Sequence, residues 1–318
     1  MLFLSQIHGG NLYFNNHYTM DKTINEKTLD KIEKMGIKYL LLCPVITSEL
    51  ASDSIKLSRY TLDDIERVTK LIKDKGFTYG VKFHINNSQG QNTFVSKSPK
   101  NTEEWFTKYF ELVKQILERM FPNNIDMVCI VNEAPKLTRD ESNRKYFENM
   151  KSELKSLYPH IKYSQSGIGG EYTGYKCPFW DVFDVLCENN YPGSTTYYDD
   201  KDCPTVREME TVIYENGFNF EKACCYYKQP IIVSEFGCLP YNGWFKHPAS
   251  WGKSTANAVY NEDVQYNYYK AYLNCRMNYP FIGGLFMWSL TDSFGAQGRK
   301  AEQVFIEKWG EGNATNNK

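Results

Sequence analysis

Short apolar runs alternate along this chain with longer stretches in which apolar residues recur every three or four positions, the two periods of buried strands and amphipathic helices. Met1-Leu-Phe-Leu-Ser-Gln-Ile-His8 predicts a first strand that runs into a Gly9-Gly10 turn. Thr23-Ile-Asn-Glu26 has the reciprocal spacing of a capping box and opens a helix that continues to Met35 and stops at Gly36. Ile37 to Val45 predicts a second strand. Thr61-Leu-Asp-Asp64 then caps a helix whose Leu62, Ile65, Val68, Leu71 and Ile72 share one stripe, and Gly76 ends it. Phe77 to Ile85 is the third strand, and Asn101 to Met120 is a long amphipathic helix leading to Pro122.

The fourth strand is Val128-Cys-Ile-Val-Asn-Glu-Ala-Pro135, an apolar and β-branched run that breaks off at Asn132-Glu133. Its composition is that of a strand buried on both faces, as in parallel sheets covered by helices. A charged helix from Asp140 to Leu157 follows, then a short fifth strand, His160 to Ser166, and a sixth, Val182 to Cys187. The interval between those two strands is too short for a full helix, so a degenerate crossover is expected. Thr205-Val-Arg-Glu208 caps another helix. The seventh strand, Gln229-Pro-Ile-Ile-Val-Ser-Glu235-Phe-Gly237, repeats the design of the fourth, ending in a glutamate and giving way to glycine. Asn261 to Met277 is the last large helix and Phe281 to Trp288 the eighth strand.

Eight strands alternating with helices select a closed parallel (β/α)8 barrel, a TIM barrel, over an open doubly wound sheet. The length of 318 residues suits one such barrel, taken as a single catalytic domain over residues 1–309 with a polar tail at 310–318. No Gly-x-Gly-x-x-Gly follows the first strand and no Gly-x-x-x-x-Gly-Lys occurs, so no nucleotide cofactor is expected. His-Glu-x-x-His and Gly-x-Ser-x-Gly are absent as well, and neither a metal nor a serine nucleophile is expected.

Charge adds little: 37 Lys and Arg balance 38 Asp and Glu, and a net charge of −1 gives no electrostatic reason for a nucleic-acid partner or an acidic membrane surface. No apolar stretch is long enough to insert in a membrane, and Met1-Leu-Phe-Leu lacks a basic flank, so neither a membrane span nor a signal peptide is expected; the expectation is a cytoplasmic protein, one externalised by another route, or a chain whose true start has been lost. The nine cysteines are odd in number and several, Cys43, Cys129 and Cys187 among them, lie inside apolar runs, which fits reduced core thiols. Aromatics stand out at 15%, with 24 Tyr and 6 Trp. Such a surplus suits a groove that stacks sugar rings, and equally a Tyr-, Asn- and Lys-rich composition with no functional cause.

The chemistry is concentrated in the two strand-end glutamates. Barrel sites lie at the C-terminal ends of the strands, and in a barrel the fourth and seventh face each other across the mouth. That arrangement can hold two carboxyl groups about 5 Å apart, the separation of a retaining glycosidase. Glu133 is assigned as acid/base and Glu235 as nucleophile. Glu133 then has to hold its proton near neutrality, through an apolar surround or the charge of Glu235, and to act as base once that charge is consumed.

Asn-Glu closing the fourth strand, Ser-Glu-Phe-Gly on the seventh and Trp288 closing the eighth resemble clan A of the glycoside hydrolases. Lys-Phe-His on the third strand and Asn-Tyr-Pro after the sixth are most similar to family 113, the β-mannanases. The resemblance implies an endo-acting enzyme that needs no cofactor and cleaves a β-linked polysaccharide, β-1,4-mannan first among the candidates. It implies that Asn132 binds the sugar 2-hydroxyl, that Tyr191 approaches the nucleophile, that Trp288 floors the subsite of the reacting sugar and that His84 lies beside it. Asn189 stands where clan members often carry His, and is counted with the substrate-binding positions. Many clan members also place an Arg at the end of the second strand; here the nearest is Arg59.

Trp244 and Trp251, with Tyr241 and Phe245, lie in a long loop after the seventh strand, where they either stack neighbouring sugars or pin the loop; Tyr197 and Tyr198, beside Asp199 and Asp200, present the same choice. Two other readings compete with hydrolysis. One is a non-catalytic carbohydrate-binding barrel, for which a matched acid and nucleophile have no use. The other is a lyase or aldolase barrel, for which Lys82 is the available Schiff-base amine.

Overall fold

The run from Ile125 to Asn132 is a strand in which every residue but Asp126 is buried, and most of the sheet is built of runs like it. The computed structural model describes residues 6–14, 23–49, 54–95, 97–194, 198, 201–250 and 258–310. The strands are β1 (Ile7–Phe14), β2 (Tyr39–Glu49), β3 (Ser54–Leu57), β4 (Thr78–Lys82), β5 (His84–Asn86), β6 (Ile125–Asn132), β7 (Lys162–Gly167), β8 (Val185–Asn189), β9 (Ile231–Phe236) and β10 (Ile282–Met287). The helices are α1 (Glu26–Lys34), α2 (Leu62–Asp74), α3 (Thr102–Arg119), α4 (Pro135–Thr138), α5 (Arg144–Leu157), α6 (Val206–Tyr227), α7 (Glu262–Arg276) and α8 (Lys300–Trp309).

The described residues pack as two compact units, those within 12–29 and 39–188 forming one and those within 1–11, 30–38 and 189–318 the other. In the former, β2, β4, β6, β7 and β8 are joined in that order by parallel pairings. In the latter, β10 pairs in parallel with both β9 and β1. These eight parallel strands, with helices between them, are those of a (β/α)8 barrel. The crossover from β7 to β8 contains only a short 3-10 turn at Trp180–Val182, as its length predicts. It is organised by Glu188, whose carboxylate accepts the N–H groups of Gly170, Tyr172 and Thr173 and the Thr173 hydroxyl at 2.7–3.0 Å.

Most helix starts follow the sequence. Thr61 and Thr205 form complete capping boxes with Asp64 and Glu208, and Asn101 caps α3. At α1 the cap is Asn25, whose side chain accepts the Thr28 N–H at 3.1 Å, two residues later than the Thr23 spacing predicts. The first strand departs further. Gly9 and Gly10 form no turn; they lie inside β1, and a Cβ on Gly10 would come within 2.7 Å of the Leu290 side chain. Gly10 serves close packing, a use that turn statistics do not distinguish from a bend.

β2 continues past the predicted end at Val45 to Glu49, pairing antiparallel with β3 and parallel with β5. Trp105 of α3 donates to Ser48 Oγ at 2.9 Å and stacks on Tyr109. Tyr79, Tyr109, Tyr163, Tyr172, Tyr268, Tyr269 and Tyr272 are among the largest fully buried side chains. Much of the tyrosine surplus is therefore core, not groove.

Candidate active site

The surroundings of Glu133 are built on β4 to β6. His84 and Asn132 are both buried, and Asn132 Nδ2 lies 3.3 Å from His84 Nδ1. Burial pushes the His84 imidazole well below its usual range, with the Lys82 ammonium acting in the same direction. A neutral ring facing an amide N–H accepts at Nδ1, which fixes its tautomer. The Tyr13 ring packs edge-on against the imidazole at 5.3 Å. Asn86 Nδ2 donates to the Tyr13 hydroxyl at 2.9 Å.

Glu133 follows directly and is half-buried, with φ of 48° in the left-handed region. For a side chain with a Cβ that conformation is uphill by about 1–2 kcal/mol, and it persists only where the surroundings dictate it. Both of its backbone groups are engaged: the N–H donates to Ser166 O at 2.8 Å, and the carbonyl accepts from Asn92 Nδ2 at 3.0 Å. Lys82, the amine of the lyase reading, is fully buried in β4.

The surroundings of Glu235 are built on β8 to β10. Glu235, 5% exposed at the end of β9, accepts the Tyr191 hydroxyl at Oε2 across 2.8 Å, and its carbonyl accepts the Asn190 N–H at 2.8 Å. Asn189 is buried and accepts the Ser234 hydroxyl at 2.9 Å, so it braces the residue before Glu235. Trp288, buried just past β10, donates its backbone N–H to Phe236 O at 2.8 Å. The Phe294 ring meets Tyr191 edge-on at 6.4 Å, and its backbone is held by Tyr269 Oη and Gln265 Nε2.

In the loop after β9, Trp244 lies half-buried with its ring 5.6 Å from Tyr241, and its indole nitrogen has no partner among the described residues. Phe245 is buried against Tyr268, so this aromatic pins the loop. Tyr198 packs under the Lys201 ammonium. Trp251, Tyr197, Asp199, Asp200 and the tail beyond Gly310 lie outside the described residues. Arg59 is exposed.

Three residues bonded into these segments escape the sequence reading. Asn11, buried in β1, donates to Ser234 O at 2.9 Å and Met287 O at 3.2 Å, tying β9 to β10. An amide within an apolar strand is a recognisable signal, but a strand drawn to end at His8 leaves Asn11 in a turn. Asp292 accepts the Phe294 N–H at 2.8 Å, and burial pushes its carboxyl up to about 6. Asn92 is one amide of a polar run from Asn86 to Asn92, in which nothing marks one over the others. Among the described residues no group of His, Cys, Asp and Glu is arranged to hold a metal, and no helix is long and apolar enough to cross a membrane.

A (β/α)8 barrel with a glutamate closing its fourth strand and another closing its seventh has the architecture of a glycoside hydrolase. Comparison with known proteins gives the same class: residues 10–305 match the sequence profile of Glycoside Hydrolase Family 113. The chain belongs to that family, and its substrate is a polysaccharide or oligosaccharide. Among solved structures it is similar to a family 113 β-1,4-mannanase in complex form, with 17% identity, a TM-score of 0.75, and coverage of 98% of this chain and 100% of that one. The β-mannanase AaManA from Alicyclobacillus acidocaldarius in complex with ManMIm matches with 15% identity and a TM-score of 0.73 over 96% of this chain and 97% of that one. A β-glucuronidase from an uncultured Clostridium sp. matches with 14% identity and a TM-score of 0.65, over 97% of this chain and 52% of that one. At these identities the likeness is one of fold. No match is found among curated protein sequences.

Proposed function

We propose that this glycoside hydrolase is an endo-acting β-mannanase that cleaves β-1,4-mannan with retention, using Glu235 as nucleophile and Glu133 as acid/base. The observation that carries the reading is the Tyr191 hydroxyl donating to Glu235 Oε2 at 2.8 Å, because it fixes the plane of a buried carboxylate at a strand end. The solved family members named above as β-1,4-mannanases support the choice of polymer.

In the first half-reaction Glu235 attacks the anomeric carbon, the glycosidic C–O bond breaks, and the Glu133 proton passes to the departing oxygen. In the second, water attacks the same carbon and gives a proton to Glu133 while the glycosyl–Glu235 ester bond breaks. Asn132 binds the 2-hydroxyl, a contact that strengthens as positive charge develops on the ring, and His84 holds the Asn132 amide. Trp288 forms the floor of that subsite, and Asn189 acts behind Glu235 through Ser234. Trp244 stacks a sugar further along the chain.

The test is hydrolysis of β-mannan, β-glucan, xylan and galactan by the native protein, Glu133→Gln and Glu235→Gln. Reducing ends released from β-mannan by the native protein and lost in both variants are the expected result. A polymer bound equally by all three proteins and cut by none identifies a carbohydrate receptor instead.

A further inference from the structure

We infer that Asn92 is a positioning residue for Glu133, its side-chain amide holding the acid/base in the left-handed backbone conformation from which the carboxyl group works. The inference rests on the acid/base reading of Glu133.

β6 and β7 lose their regular register between Cys129 and Asn132, so the sheet ladder stops supporting the chain just where the site begins. Glu133, at φ of 48°, keeps one ladder-like bond, from its N–H to Ser166 O. Its carbonyl has passed the strand end, and there Asn92 Nδ2 donates to it at 3.0 Å. A backbone in an unfavourable region stays there only when such contacts outweigh the alternatives.

Asn92 is itself held. Its Oδ1 accepts the Phe94 N–H at 3.3 Å, and it bridges antiparallel to Asn86. Thr93 N donates to Ile85 O at 3.0 Å, and the buried Phe94 ring packs edge-on against Trp105 at 4.8 Å. Phe94 O in turn accepts the Lys136 N–H at 3.1 Å. The segment from Asn92 to Phe94 therefore grips the chain at Glu133 and again three residues further on. Only a side chain with a donor and an acceptor on one short stem fills both roles at position 92. Aspartate lacks the donor and alanine lacks both.

A misplaced acid matters in proportion to how badly the leaving group needs a proton. The experiment measures kcat/KM, which reports the first half-reaction, on aryl β-mannobiosides running from phenyl to 2,4-dinitrophenyl, for the native protein, Asn92→Ala, Asn92→Asp and Glu133→Ala. With a displacement near 1 Å costing about 100-fold, both Asn92 variants should lose about that much on the phenyl glycoside and less than about twofold on the dinitrophenyl glycoside. Both should follow the leaving-group dependence of Glu133→Ala. If Asn92→Ala does not fold, Asn92→Asp carries the test, because it keeps the acceptor for Phe94. An equal loss on every leaving group, or no loss at all, overturns the inference while leaving Glu133 as the acid. A flat leaving-group dependence in Glu133→Ala removes the acid assignment and the inference with it.

Discussion

The hydroxyl of Tyr191 donates to Glu235 Oε2 across 2.8 Å, and the Tyr191 ring is backed edge-on by Phe294. The loop that carries Phe294 is tied down in turn. Gln265 Nε2 donates to the carbonyls of Cys238, Ser293 and Phe294, and Arg299 donates to those of Ser293 and Gly295. The orientation of one carboxylate thus depends on a hydrogen-bonded shell two residues deep.

Removing the Tyr191 hydroxyl leaves the ring packing in place and takes away one bond to a charged group. Such bonds are worth about 1.5–3 kcal/mol, so Tyr191→Phe should lower kcat/KM on β-mannan about 10- to 100-fold. The melting temperature should stay close to that of the native protein, as thermal unfolding followed by circular dichroism would report. Native-like turnover would remove Tyr191 from the site.

Asp292 makes stability depend on pH. Its folded value of about 6 exceeds the 3.8 of an unfolded aspartate, so between those values the folded protein holds a proton that the unfolded chain has released. Stability therefore falls as pH rises through that window, and the penalty is complete above pH of about 6, reaching at most about 3 kcal/mol. Asp292→Asn keeps an acceptor for the Phe294 N–H and removes the charge. Its melting temperature should exceed the native one at pH 8 and converge with it at pH 4, as calorimetry at the two values would show.

His84 behaves in the opposite sense. Its imidazole stays neutral well below 6.5, so the unfolded chain takes up a proton that the folded site refuses, and stability falls as pH drops below 6.5. The His84 ring nitrogens should show no titration by NMR between pH 8 and pH 5. A midpoint near 6.5 would contradict the buried, neutral ring.

Gly36 tests the packing of the C-terminal helix. Its φ is 79°, and a Cβ there would lie 2.0 Å from Trp309 O, backbone that cannot give way cheaply. Gly36→Ala should destabilise the protein by more than about 2 kcal/mol, read from denaturant midpoints. The His8–Trp309 stack, centroids 4.8 Å apart, should loosen with it.

Legibility in the sequence tracked how local the causes are. Buried strands such as β6 and β9 are written as apolar runs, and the caps at Thr61 and Thr205 are set by residues three apart, so these elements follow from the sequence. Gly10 misleads because its role depends on Leu290, distant in sequence. The two glutamates stood out as acids ending apolar strands. Asn11, Asn92 and Asp292 did not, because their work is done on the carbonyls of Ser234, Met287 and Glu133 and the N–H of Phe294, and such partnerships appear only once the chain is folded.

The assignment of Glu235 as nucleophile is tested most directly by trapping the glycosyl–enzyme. The protein is incubated with a 2-deoxy-2-fluoro-β-mannoside bearing a dinitrophenyl leaving group, digested, and sequenced by mass spectrometry. The account predicts one label, on the peptide that contains Glu235, absent from Glu235→Gln. A label on Glu133, or turnover without any label and with inversion at the anomeric carbon, would contradict it.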